Sequence, residues 1–251
     1  MKILMLDIET APHRVYTWGL WQQNVALNQI EEVGYTLCWA AKWYGDDKVM
    51  YSSIHRDGKV AMLWKMYTLL EEADVVVHYY GSHFDVPTLN QEFLAMGWTP
   101  PAPFIELDLI NTVRKRFKLP SNKLNYISNY LGLGEKINHK GMELWRGCME
   151  GNPEDWKVME QYNKQDVVLL ERLYDVIKPW IKNHPNHALF TDDEMEVCPN
   201  CGSDHLQKRG FHYTKTLTYQ RVKCMDCGAW SRYRTTNMPK EKRKGVLVGV
   251  A

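Results

Sequence analysis

Two carboxylates two residues apart, Asp7 and Glu9, sit where the apolar run at residues 2–6 ends. Side chains two apart on a strand project to one face, so the two converge. Like charges held side by side at the heart of a sheet repel unless a cation lies between them. An all-oxygen donor set of this kind suits Mg²⁺ or Mn²⁺. Taken alone, an Asp-x-Glu at a strand end reads equally well as a solvated acidic turn.

Two further clusters bear on that choice. Asp85 follows the run Val75–His78 and the segment Tyr79-Tyr80-Gly81-Ser82-His83-Phe84, at the start of a helix. By itself it reads as an N-terminal cap. Tyr162 and Asp166 lie four apart in a long helical stretch and share one face on successive turns. By themselves they read as a buried tyrosine and a surface acid. In this order, Asp-x-Glu-Thr after a first strand, Phe-Asp after a later one and Tyr-x-x-x-Asp in a late helix resemble the DEDDy 3′→5′ exonucleases. That family includes the proofreading domains of DNA polymerases, within the ribonuclease H-like fold. The wording Phe84-Asp85-Val86-Pro87-Thr88-Leu89 is similar to a phage and bacterial branch related to the exonuclease domain of B-type polymerases. The resemblance covers roughly residues 1–182 and departs from the family at Tyr80, where an Asn is common.

The resemblance implies an α/β fold, a ribonuclease H-like mixed sheet flanked by helices. It implies that Asp7, Glu9 and Asp166 hold one Mg²⁺ or Mn²⁺. Asp7 would bridge to a second such ion that Asp85 supports directly or through water, and Tyr162 would orient the attacking water. The expected substrate is nucleic acid with a free 3′ end, DNA rather than RNA, and the product a nucleoside 5′-monophosphate. The same scaffold also hosts ribonucleases and structure-specific endonucleases. A non-catalytic nucleic-acid-binding protein is the alternative from another class, and the complete carboxylate set argues against it.

Near the C-terminus, Cys198-x-x-Cys201 and Cys224-x-x-Cys227 are separated by 22 residues. Four thiolates in paired knuckles suit one tetrahedral structural Zn²⁺, the pattern of a zinc ribbon, with His205 and His212 as unneeded alternatives. Between and beside the knuckles, Lys208, Arg209, Arg221 and Arg232 interleave with Phe211, Tyr213, Tyr219, Trp230 and Tyr233. That mixture favours nucleic acid, while a ribbon serving contacts with replication or repair proteins is the other reading. From Cys198 onward eleven Lys and Arg face three acids, formally +8, which leaves −7 for residues 1–197 of a chain with net charge +1. The basic end either meets a polyanion or simply solubilises the chain. Elsewhere, Trp18 and Trp21 either stack on terminal bases or fill the core. Arg114, Lys115 and Arg116 either track phosphates or form a solvated helix face. Asp108 fits none of the three motifs and stays outside the catalytic set.

The elements that must position these groups follow from periodicity. Residues 2–6 read as a buried strand, and residues 35–44 and 48–53, parted by Gly45-Asp46-Asp47, as a hairpin completing a three-stranded meander. Helical spacing marks residues 58–72 and 85–96, with a strand at 74–79 between them. A further strand at 104–107 leads to helices over 109–117 and 122–131. The clearest helix spans residues 152–181, capped by Asn152, opened by Pro153 and ended or kinked at Pro179. Strands first, then strands alternating with helices, indicate layers around one mixed sheet.

With 251 residues, 45% hydrophobic and 24% charged, the chain suffices for one substantial core and a small appendage. The expected organisation is a nuclease domain over 1–183, an acidic linker over 184–197, a ribbon over 198–234 and a disordered basic tail over 235–251. Cys38 and Cys148 stand alone and read as small core residues. No apolar run reaches the roughly 18–20 residues of a membrane span, and the N-terminal apolar stretch is too short for a signal peptide. A cytoplasmic protein of a bacterial or phage-infected cell, without a membrane partner, is expected.

Overall fold

The computed structural model describes residues 1–191 and 195–250. Asp192, Asp193 and Glu194 of the expected acidic linker, and Ala251 of the tail, lie outside the described residues. In chain order the elements are β1 (Ile3–Thr10), β2 (Arg14–Val15), β3 (Ile30–Glu32), β4 (Thr36–Trp43), β5 (Met50–Ser53), α1 (Ile54–Asp57), α2 (Lys59–Glu72), β6 (Val75–His78) and α3 (Asp85–Ala95). There follow β7 (Ile105–Asp108), α4 (Leu109–Arg116), α5 (Leu124–Tyr130), α6 (Met142–Met149), α7 (Pro153–Ile177), β8 (Leu206–Tyr213), β9 (Thr218–Cys224), β10 (Trp230–Arg232) and α8 (Lys240–Lys244). The chain forms two compact units, one from Lys2 to Tyr174 and one from Asp175 onward together with Met1.

The first unit is built on a five-stranded sheet in the order β5-β4-β1-β6-β7. β4 runs antiparallel to β1 and β5, completing the expected meander, while β6 runs parallel to β1 and β7. β1 does not stop at residue 6 as the apolar run suggests. Its ladder with β4 continues through Asp7, opposite Ala40, and Glu9, opposite Cys38. The carboxylates therefore stand on paired strand backbone, and the residues facing them across the ladder are small.

Strand parity divides β1 between two faces. Leu4, Leu6 and Ile8 are buried with Trp39 and Ala41 against Met62, Leu63, Met66 and Leu70 of α2 and Leu89 and Phe93 of α3. Each such side chain contributes about 1.5–3 kcal/mol of burial, so this face anchors the register. Asp7 and Glu9 occupy the alternate parity, on the face covered by α6 and α7. There Leu37 and Cys38 lie against Leu144, Cys148, Trp156, Met159 and Tyr162. Between Glu9↔Cys38 and Thr10↔Thr36 the ladder shifts, leaving Leu37 as an extra residue. This bulge lets two consecutive β4 residues point into one core. Cys38 and Cys148 are both buried and free, as read from the sequence.

The long helix α7 starts as expected, with Asn152 Oδ1 accepting from the backbone N–H of Glu154 (3.0 Å) and Asp155 (3.4 Å). It ends at Ile177 rather than 181, and a 3₁₀ turn spans Lys178–Trp180. Pro179 lacks the N–H that would continue the ladder. The sequence gives no warning of α6, because its cap is Gly141, with no side-chain cap bond, in place of a Ser, Thr, Asp or Asn. In the second unit, β10, β9 and β8 form an antiparallel sheet. Within the stretch expected to lack order, Thr236 Oγ1 donates to the Thr218 carbonyl (2.7 Å) and α8 forms. No helix among the described residues is long and apolar enough to cross a membrane.

α6 lies against the first turn of α7 at Gly147, where a Cβ would meet Asp155 Oδ2 at 1.8 Å. Asp155 is buried and paired with Lys140 at 2.9 Å, so it has no easy retreat. Gly147→Ala is expected to destabilise the unit by about 1–3 kcal/mol through overpacking, against the helix-propensity gain of alanine. Urea unfolding followed by tryptophan fluorescence measures this, and an unchanged midpoint would contradict the contact.

Candidate active site

Asp7 and Glu9 from β1 and Asp166 from α7 bring one carboxylate oxygen each to within 4.8 Å of one another. Burial is the main cause that raises all three above the usual carboxylate range, and their mutual repulsion adds to it for Asp7 and Glu9. Glu9 is pushed up to about 8. Asp166 Oδ1 and Asn163 Oδ1 are buried beside this cluster without a hydrogen-bond partner. Mutually repelling carboxylates plus orphaned oxygen acceptors form a donor set that fits a hard divalent cation.

Three groups in the cluster carry no motif signal of their own. Lys136, from the loop between α5 and α6, forms an ion pair with Asp166, and its Nζ lies 3.2 Å from Tyr162 Oη and 5.1 Å from the centre of that ring. Burial pulls the Lys136 ammonium down, but the acids, Asp166 foremost, outweigh it and hold it above its ordinary value. Asn163, fully buried, donates from Nδ2 to Asp7 Oδ2 at 2.6 Å. Trp145 lies beside Glu9, where its indole favours the ionised carboxylate. Asn163 was legible in principle, since it lies three residues before Asp166 on a helix and so near the same face. Lys136 and Trp145 come from loops and short helices whose approach only the tertiary structure sets. The Tyr162 hydroxyl lies on the Asp166 side of the cluster, where it favours the ionised Asp166, and its ring meets His139 and Trp145 edge-on.

Asp85 stands beside this group rather than in it. β1 pairs with β6 only from Ile3 to Met5, so the Ile8 N–H on that edge lacks a strand partner. Asp85, the first residue of α3, supplies one, accepting from Ile8 at 3.0 Å through Oδ1. Burial pushes Asp85 up to about 6, with His78 opposing. His78 is fully buried, its Nε2 3.2 Å from Glu106 Oε2 and its Nδ1 3.8 Å from Asp108 Oδ2. Burial would depress this imidazole, but the two carboxylates push it up to about 9.

Asp108 accepts from the N–H of Ile110, capping α4, and from the N–H of Tyr80 at 2.7 Å. The second bond holds Tyr80 at φ +70°, a region bulky residues rarely adopt. The Tyr80 ring stacks on His83 (centroids 5.1 Å apart), and the Arg114 guanidinium lies 5.5 Å from its centre. Tyr80 and Arg114, with Asp7, Lys123, Asn125 and Lys136, line an open cleft of about 630 Å³. Lys115 and Arg116 are exposed on α4 and do not line it. Trp18 and Trp21 are 99% and 85% exposed, which removes the core reading for both.

In the second unit Cys198, Cys201, Cys224 and Cys227 place all four sulfurs within 4.8 Å of one another. Cys198–Cys227 and Cys201–Cys224 are each 3.7 Å apart between Sγ atoms. A tetrahedron with Zn–S bonds of about 2.3 Å has edges of about 3.8 Å, so the cluster fits Zn²⁺ and is too open for disulfides. Burial opposes ionisation of Cys224, yet backbone N–H groups of Cys227 and Asp226 outweigh it and lower the thiol to about 7. His205 lies outside the cluster, its Nδ1 2.9 Å from Asp226 Oδ1.

A raised carboxylate favours the protonated cluster, so the metal-free unit loses stability as pH rises from the ordinary 4.5 of Glu9 towards its shifted value of about 8. A cation must displace those protons. Calorimetric titration with Mg²⁺ at pH 7, in two buffers of different ionisation enthalpy, is expected to release about one proton per protein. Equal heats in both buffers would contradict the shift.

Residues 4–178 match the model of a family described as the RNase_H superfamily. The search of curated proteins found no match. Among solved structures the fold is similar to the family B DNA polymerase of the hyperthermophilic archaeon Pyrobaculum calidifontis, with a TM-score of 0.54 and 18% sequence identity. That match covers 71% of this chain and 24% of the polymerase, so the likeness concerns one part of a much longer protein. The chain belongs to the RNase H superfamily.

Proposed function

We propose that this protein is a two-metal-ion 3′→5′ exonuclease that releases nucleoside 5′-monophosphates from the 3′ end of nucleic acid, DNA in preference to RNA. One observation carries the reading. Asp7, Glu9 and Asp166 converge at the sheet centre, with Tyr162 one turn from Asp166 and Asp7 open to the adjoining cleft. Superfamily membership supports a nucleic-acid substrate, and the structural likeness to a DNA polymerase supports DNA.

Asp7, Glu9 and Asp166 would hold one Mg²⁺ or Mn²⁺, and Asp7 would reach a second with Asp85 alongside. Ions bound there lower the pKa of a coordinated water and neutralise charge on the attacking and leaving oxygens. The residues around them hold the geometry. Asn163 fixes the Asp7 carboxylate, and Trp145 beside Glu9 favours its ionised form. The Tyr162 hydroxyl would orient the attacking water. Burial pushes it above its ordinary 10, so it is no base at neutral pH. Arg114 and Lys123 on the cleft wall would meet the phosphates, and Tyr80 would lie against a base.

The test is a 5′-labelled single-stranded DNA with Mg²⁺ or Mn²⁺. The wild type should give a ladder shrinking from the 3′ end that a chelator stops. Asp7→Ala and Asp166→Ala should each slow cleavage by about 10³-fold or more while keeping the fold. Tyr162→Phe should cost about 10²-fold through lost positioning. Internal cuts would replace the reading with an endonuclease, and near-wild-type rates in either alanine variant would sink it.

A further inference from the structure

The ribbon sheet has two chemically different faces. On one, Val222 and Cys224 of β9 are buried, and Leu206 of β8 packs on the cysteine cluster. The other is set by pairing. Trp230 stands opposite Lys223 and Arg232 opposite Arg221, so these four side chains share a face with Tyr219, two residues before Arg221. Arg209 joins them from β8, bonded through Nε to Gln207, which pairs with Lys223.

Two arginines directly across a ladder repel, and the structure relieves this by seating each on a ring. The Arg221 guanidinium lies 4.5 Å from the centre of Trp230, with Lys223 Nζ at 5.9 Å. The Arg232 guanidinium lies 3.9 Å from the centre of Tyr219. A bulge in β8 helps. Arg209 and Gly210 together oppose Arg221, Gly210 taking φ +63°, and the freed Arg209 carbonyl accepts from Arg221 Nε at 3.0 Å. The Arg221 guanidinium is thus held over Trp230 through its Nε, and its terminal nitrogens take no part in that bond. Among the described residues none of these four cations forms an ion pair with a carboxylate. Over residues 198–234 seven Lys and Arg face two acids.

We infer that this face binds single-stranded nucleic acid. Seated guanidiniums present their free edges to phosphates. Trp230, 49% exposed, offers an aromatic surface on which an unpaired base can stack. Charge calls for a polyanion, and the exposed Trp230 ring calls for bases whose faces are open, which a duplex withholds. The inference stands apart from the nuclease reading, because it can be measured with the acidic site disabled.

The experiment is fluorescence anisotropy of a labelled thymidine 20-mer with the full-length chain carrying Asp7→Ala, so that the probe persists. Adding Arg221→Gln with Arg232→Gln should weaken binding at least about tenfold and reduce the slope of log K against log salt by about 1.5. Trp230→Ala should weaken it about tenfold with the slope unchanged, and Trp230→Phe should recover most of the loss. Each variant must retain one zinc per chain, and Lys215→Gln in the hairpin turn, off this face, should have little effect. Wild-type affinity in the double arginine variant would overturn the proposal. So would a duplex of equal length, or a polyglutamate peptide, bound as tightly as the 20-mer and equally weakened by the same substitutions.

Discussion

Three carboxylates forced together at the centre of a sheet are the constraint around which the first unit is arranged. β1 is laddered to β4 along its length and to β6 over its first half, so Asp7 and Glu9 cannot retreat from Asp166. Moving their backbone by one residue would send the pair to the other face and bring Leu6 and Ile8 out of their core. The sheet therefore holds a charge arrangement that is unfavourable by itself. Lys136 and Asn163 each offset part of it, through an ion pair and an amide bond, and the neighbouring Trp145 favours the charge on Glu9. The orphaned oxygens of Asp166 and Asn163 mark what these partners leave unbalanced.

A second chain of contacts runs from the end of the parallel strands to the cleft wall. Asp85 closes the open edge of β1 at Ile8, and buried His78 opposes its charge. His78 in turn lies beside Glu106 and Asp108. Asp108 caps α4 and fixes Tyr80 in the left-handed region. An acid outside every motif thus sets the backbone of the residue at which this chain departs from the exonuclease pattern. The same helix that Asp108 caps carries Arg114, so wall chemistry and wall geometry share one support.

The ribbon solves a different problem. Its apolar cluster consists of the four cysteines with Ala229 and Leu206. A module this small has too little apolar surface to repay its chain entropy. Four clustered cysteines, which fit Zn²⁺, would take the place of a core once metal is bound, and the outer face of the sheet is left to carry cations and rings in place of packing residues.

The chemistry in this chain was legible where it depends on short sequence distance. Strand parity alone put Asp7 and Glu9 on one face, helix periodicity put Tyr162 and Asp166 on another, and knuckle spacing marked the four cysteines that cluster. The order of the motifs, with the strands and helices between them, was enough to indicate the layered mixed sheet. What the sequence left open depends on contacts between distant segments. Lys136 reaches Asp166 from a loop without periodicity, and Trp145 sits on a helix that starts without a capping side chain. Trp18 and Trp21 have the same composition signal whether buried or exposed, and only packing decides between them. The basic residues of the ribbon read as a mixture until β-pairing and one glycine bulge gathered Arg209, Arg221, Lys223 and Arg232 on a single face. Local spacing determines which side chains can point together. Only the tertiary structure decides which of them meet, because that choice is made by burial, register and the satisfaction of polar groups across the whole fold.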